Sequence, residues 1–241
     1  LSEGSAMDPL EMMSSPTATR PMLGMTILVV EDSLFASEAM RLLCLRSGAR
    51  IRRADCLRSA RRHLEVYRPS AVIIDMGLPD GSGAELIEQL SQATPRVAVV
   101  AAVSGDPGSE AAARNAGADC FMSKPMTNLG VFQRTLLTHM PPEYRMTGPR
   151  PVSDERVEPD PVAYKDDMAH AAEILREAED DAVVAYLGQF LRGVAHCAGD
   201  TGLGIAADRL DRARVQGMPL RPELARLDGL LQERIGERLA I

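Results

Sequence analysis

The run TILVVEDSLFA, residues 26–36, sets four apolar residues, Ile27, Leu28, Val29 and Val30, directly ahead of two adjacent acids, Glu31 and Asp32. An aliphatic run of this length, bounded by polar residues, reads as a buried strand. Two like charges side by side repel each other and lose hydration when enclosed, so a cation or a catalytic task must compensate them. The plainer alternative is that one acid caps the next helix while the other faces water, and the rest of the chain has to decide.

Outward from this run, short β-branched stretches alternate with helical ones. Residues 26–31 form the first strand, and LFASEAMRLLCLRSG carries apolar residues at helical spacing up to Gly48, a C-cap residue. A weak strand near 50–54 and a helix near 57–67 lead to AVIID, a strand ending at Asp75. MGLPDGSG then turns into a helix over 83–91, followed by a strand at 97–102, a helix at 108–116, a strand at 119–122 and a helix at 127–139. Strands alternating with helices imply a parallel sheet covered on both faces, an α/β fold. Functional residues of such sheets gather beyond the carboxyl ends of the strands. Glu31, Asp32, Asp75, Ser104 and Lys124 all fall at or just past expected strand ends.

The composition narrows the setting. The chain has 241 residues, enough for two ordinary domains, and its formal charge is −7. That balance makes nucleic acid an unlikely partner, since nucleic-acid binders usually gather basic residues on one face. Only Lys124 and Lys165 are lysines among 27 basic residues, so a lysine inside a motif is informative. Cys44, Cys56, Cys120 and Cys197 lack paired metal spacing and read as reduced thiols of a cytoplasmic protein. Apolar runs such as VAVVAAV, 97–103, are too short to cross a bilayer. The opening LSEGSAM reads as a tag remnant, and residues 1–24 as a disordered N-terminus.

Residues 141–162, rich in proline and charge, read as a linker. Beyond it, residues 163–241 show only amphipathic helical patterns, an all-α bundle. This part carries ten Lys and Arg against fourteen Asp and Glu.

If Glu31, Asp32 and Asp75 converge, an all-oxygen set of this kind suits Mg²⁺. Lys124 would be the compact counter-charge for a phosphoryl oxygen, Ser104 a hydroxyl donor, and Asp75 a nucleophile for in-line phosphoryl transfer. On the residues VVEDS, IIDMGLPDGSG, AAVSG and GADCFMSKPM, residues 25–140 resemble the receiver domain of two-component response regulators. The resemblance implies a flavodoxin-like five-stranded sheet of order 2-1-3-4-5 and phosphorylation on Asp75. It further implies Mg²⁺ held by Glu31, Asp32, Asp75 and the Met76 carbonyl, phosphate contacts from Ser104 and Lys124, and an aromatic switch at Phe121. A cis Lys124–Pro125 bond is implied as well. The implied donor is a histidine kinase or a histidine phosphotransfer protein.

For the helical part the main expectation is signalling through a downstream protein partner, with a homodimer also admitted. Two alternatives stand beside it. One is a DNA-binding transcriptional regulator. The other is a phosphorelay protein, because FLRGVAHCAGDTGLG faintly resembles a histidine phosphotransfer module with His196 as carrier, although Gly199 stands where that family has a basic residue. A different alignment of the same module puts Asp208 at the histidine position. A metal-dependent enzyme acting on small phosphorylated molecules shares the aspartate nucleophile, but MGLPDGSG offers no evident room for its substrate.

Overall fold

The computed structural model describes residues 16–144, 148, 151–177 and 180–237. Five parallel strands, β1 (Thr26–Val30), β2 (Arg50–Ala54), β3 (Ala71–Asp75), β6 (Val99–Ser104) and β7 (Cys120–Ser123), form one sheet in the order β2-β1-β3-β6-β7. Counted along this sheet alone, the order is the expected 2-1-3-4-5. A second, two-stranded antiparallel pair, β4 (Gly77–Leu78) and β5 (Gly81–Ser82), lies within MGLPDGSG, where the sequence suggested only a turn.

Alternation along the strands divides the interior in two. Ile27, Val29, Ile73 and Val103 point to the face covered by α1 (Leu34–Ser47) and α5 (Leu129–His139). Leu28, Val30, Ile74 and Val100 point to the face covered by α2 (Leu57–Val66), α3 (Gly83–Gln92) and α4 (Ser109–Asn115). Each such side chain, fully buried, contributes about 1.5–3 kcal/mol relative to exposure, an upper figure for a real unfolded chain. Both faces must be apolar because helices cover both, which is why AVIID reads as a continuous run rather than an alternating one.

Local signals fix where the helices begin and end. Ser33 caps α1 by accepting from the Ala36 amide, and Gly48 ends it in the left-handed region at φ 87°. Ser82 and Glu85 form a reciprocal capping box on α3. Helix α5 starts two residues later than the sequence suggested. Asn128 caps it by accepting from the Val131 amide, while the flanking backbone pairs elsewhere: Leu129 N–H donates to Glu155 O and Val157 N–H to Thr127 O, both at 2.9 Å. The proline-rich segment expected to act as a linker is thus partly pinned to the receiver, with Val157 buried in the first core. Met22 is also buried there, so ordered packing begins before Gly24; the expected tag remnant lies outside the described residues.

Four helices follow: α6 (Pro161–Arg176), α7 (Asp181–Ala198), α8 (Thr201–Val215) and α9 (Arg221–Gly236). Met168, Leu187, Leu191, Leu210, Leu227 and Leu231 are among the residues of their shared core. Asp160 caps α6 just before Pro161, and Asp200 caps α8 by accepting from the Leu203 amide. The bundle does not stand apart: α6 and α7 pack against α1 at the carboxyl edge of the sheet.

Candidate functional site

Strands β1, β3, β6 and β7 deliver their last residues to one rim. The ends of β1 and β3 bring Glu31, Asp32 and Asp75 together, with one ligand-capable oxygen of each within 4.8 Å of the others. Such a cluster is able to chelate a divalent ion. Lys124, just past β7, places its Nζ 2.8 Å from Glu31 Oε2 and 3.2 Å from Asp75 Oδ1. These groups are enclosed: Glu31 has no exposed surface, and Asp75, Ser104 and Lys124 are each 7% exposed.

Enclosure sets the proton affinities. Burial pushes Glu31 up to about 7 despite the opposing pull of Lys124. Burial likewise raises Asp75 to about 7, again against Lys124, and Asp32 to about 6 with Asp75 adding to the rise. Burial alone would depress Lys124, but Asp75 and Glu31 together hold it well above the ordinary lysine range. Three carboxylates therefore share one ammonium, a net deficit of positive charge.

Two observations bear on whether a metal fits. Glu31 Oε2, although close to Lys124 Nζ, is buried and accepts no well-directed hydrogen bond, so a lone pair is unused. The Met76 carbonyl accepts from Gly83 N–H at 3.1 Å, which leaves its second lone pair for another partner. The chemistry is all oxygen, matching a hard cation.

The other sequence-expected residues sit as follows. Ser104 Oγ lies 3.4 Å from Ser109 Oγ and accepts from the Asp106 amide. Phe121 is half-buried against the second core. The Lys124–Pro125 bond is cis. His196 is exposed near the end of α7, and its Nε2 lies 2.7 Å from the Lys124 carbonyl, at the rim. Asp208, the alternative alignment's residue, instead pairs with Arg192 at 2.7 Å.

Sequence reasoning missed the residues that the bundle contributes. Asp167 of α6 accepts from Ser33 Oγ (2.7 Å) and from the amides of Leu34 (2.7 Å) and Phe35 (3.0 Å), and so joins Ser33 in satisfying the first turn of α1. Tyr186 of α7 donates its hydroxyl to Asp32 Oδ2 at 2.7 Å. No spacing or motif ties these to residues more than 130 positions earlier; a helical acid and a helical tyrosine are ordinary until the two parts meet. Beside Asp32 a cleft of about 740 Å³ opens between the bundle and the receiver, lined by Arg53, Arg58, Asp167, His170 and Tyr186 among others. Among the described residues no helix is long and apolar enough to cross a membrane.

Comparison with known proteins agrees with this geometry. Residues 27–134 match the family model for the response regulator receiver domain. The KDP operon transcriptional regulatory protein KdpE of Escherichia coli is 30% identical over 126 residues, covering 52% of this chain and 56% of that protein. The virulence transcriptional regulatory protein PhoP of Salmonella typhimurium is 28% identical over 102 residues, 42% of this chain and 46% of that protein. The chain thus spans about half the length of the curated relatives it matches. Among solved structures, a putative response regulator from Chloroflexus aurantiacus is 27% identical with a TM-score of 0.40, covering 42% of this chain and 85% of that one. One expectation is overturned: the acidic charge balance argued against nucleic acid as a partner, yet the named relatives are transcriptional regulatory proteins. Net charge reports the whole surface and says little about one local patch, so it was too coarse a guide. Residues 27–134 are a response regulator receiver domain, joined on this chain to a C-terminal all-helical bundle.

Proposed function

We propose that this chain is a phosphorylation-dependent regulator whose receiver, taken as residues 25–140, accepts a phosphoryl group on Asp75 from a phosphohistidine of a histidine kinase or phosphotransfer protein in the cytoplasm. The observation that carries this reading is the convergence of Glu31 and Asp32 on Asp75, with one buried lysine ion-paired to it. In the transfer, an Asp75 carboxylate oxygen bonds to phosphorus as the phosphorus–nitrogen bond breaks; the imidazole leaves with the bond's electron pair, and an acyl phosphate forms on Asp75. Lys124 turns from Asp75 to a phosphoryl oxygen, and the Ser104 hydroxyl donates to another. Glu31, Asp32, Asp75 and the Met76 carbonyl would hold Mg²⁺. Bound there, the ion supplies positive charge against the phosphoryl oxygens. Phe121, half-buried on β7, would change rotamer as Ser104 moves.

For the output, control of transcription is the better-supported reading, because the curated relatives are named as transcriptional regulatory proteins. Signalling through protein contacts of the helical bundle is second, favoured by the bundle's direct bonds to the rim. A relay on His196 is weaker, since its Nε2 already bonds the Lys124 carbonyl and would have to leave it to take phosphate.

Incubation of wild-type and Asp75→Asn protein with a phosphorylated histidine kinase and Mg²⁺ tests the acceptor. Intact-mass analysis is expected to show one hydroxylamine-labile phosphoryl group on wild type and none on the variant; equal labelling of both removes Asp75 from the role. Transcript profiling of cells carrying wild-type or Asp75→Asn protein tests the output, and identical profiles count against transcriptional control.

A further inference from the structure

Helix α7 crosses the rim from β1 to β7 with one face. Tyr186, Gln189, Gly193 and His196 are three or four residues apart and so lie on one side of the helix. They meet the strand ends in spatial order. Tyr186 bonds Asp32 after β1. Gln189 packs its amide against Gly77 after β3, so closely that a Cβ there would overlap it. The Gly193 Cα lies 3.9 Å from where a Cβ on Gly105, after β6, would stand, an ordinary van der Waals separation that brings the helix over this loop. His196 bonds the Lys124 carbonyl after β7. Asp167 of α6 anchors the same bundle to the first turn of α1. A helix touching four separate loops in strand order, with the Gln189 amide filling the space that Gly77 leaves, is shaped to this rim.

The consequence is steric. Phosphoryl transfer needs the donor phosphorus about 3–3.5 Å from an Asp75 oxygen, in line with the leaving nitrogen. A protein-borne phosphohistidine cannot reach that position while α7 lies across the rim and Asp75 is 7% exposed. The side cleft reaches Asp32 and does not include Asp75 among its lining residues, so it offers an ion a path to the cluster but no in-line path to the nucleophile.

We propose that this face of α7 is a receiver-docking surface whose occupant is the chain's own receiver, that the docked form blocks the phosphohistidine donor, and that phosphorylation of Asp75 expels the bundle. A phosphoryl group adds three oxygens and a charge of about −1.5 to −2 in a space the docked helix has closed. Lys124, drawn to it, moves the loop whose carbonyl holds His196. By linkage, what phosphorylation does to docking, docking does equally to the free energy of phosphorylation. The trigger rests on the proposed role of Asp75; the docking does not.

Cys197, half-buried beside Lys124 and Pro125, reports the docking. Full-length protein is pulsed with a thiol reagent and the modified cysteines are resolved by mass spectrometry, with Cys44 of the receiver core as internal control. Asp167→Ala and, as a milder variant, Tyr186→Phe are expected to speed Cys197 modification without any ligand, by about ten-fold for Asp167→Ala, while Cys44 stays protected. In wild type, beryllofluoride with Mg²⁺, which forms a phosphoryl-like adduct on a carboxylate, is expected to do the same, and Asp75→Asn is expected to abolish that response. Both variants are expected to take phosphate from the kinase faster than wild type. Cys197 modification unchanged in both variants overturns the docking. An adduct on Asp75 with no change at Cys197 overturns the expulsion. Protection of Cys197 that rises with protein concentration assigns the surface to a second copy and overturns the intramolecular proposal. Failure of any adduct to form on Asp75, with the two variants still opening Cys197, strikes the acceptor assignment and leaves the docking standing.

Discussion

Lys124 sits buried between Glu31 and Asp75, so its ammonium offsets part of the repulsion among three enclosed carboxylates. Removing one partner from a buried ion cluster leaves charge that water cannot reach, at a cost of about 3–5 kcal/mol, less where the acids take up protons instead. Lys124→Met is therefore expected to lose about 3 kcal/mol in metal-free urea unfolding at neutral pH, with added Mg²⁺ restoring more stability to the variant than to wild type. A loss below about 1 kcal/mol would mean that the acids are neutral without the lysine. At this scale the sequence was informative, because Glu31, Asp32, Asp75 and Lys124 each follow an apolar run that ends at the same edge of a parallel sheet. Asp167 and Tyr186 were invisible for the opposite reason: their partners, Ser33 and Asp32, are distant in sequence, and nothing beside either residue marks it.

Helix ends show the same division between local and distant causes. Asp200 caps α8, accepts from Tyr164 Oη at 2.8 Å and pairs with Arg234 Nε at 2.7 Å. Burial would raise its pKa, but Arg234, the Leu203 amide and the Tyr164 hydroxyl hold it down to about 2, from an ordinary 3.8. An acid depressed in the folded state contributes stability that is complete above its unfolded value and lost as pH falls through its folded one. The contribution should therefore fade between pH 4 and pH 2. Asp200→Ala is expected to cost about 2 kcal/mol at pH 7, and the gap from wild type should close over that acid window in denaturant titrations. A gap constant from pH 7 to pH 2 would show that the ion pair with Arg234 contributes nothing. The cap at Gly48 was legible from sequence because a left-handed residue after an apolar periodic run is a local requirement. The start of α5 was not, because Glu155 and Val157 capture the backbone around Asn128 from elsewhere.

Across the whole molecule, α6 and α7 tie the bundle to the receiver through Asp167, Tyr186 and His196, so unfolding of one part exposes surface of the other. Wild type is expected to melt in a single calorimetric transition, and the double variant Asp167→Ala/Tyr186→Phe in two, as coupling between the two cores falls below their separate stabilities. Two transitions already present in wild type would show that the docking contributes little. The sequence by itself determined the strand and helix alternation, the parallel sheet and the acids and lysine at its rim, since these follow from hydrophobic period and from residues adjacent to strand ends. Only the tertiary structure decided that α6 and α7 of a four-helix bundle would close over that rim, because contact between surfaces far apart in sequence depends on shape and on pairs such as Tyr186 with Asp32, which leave no periodic trace along the chain.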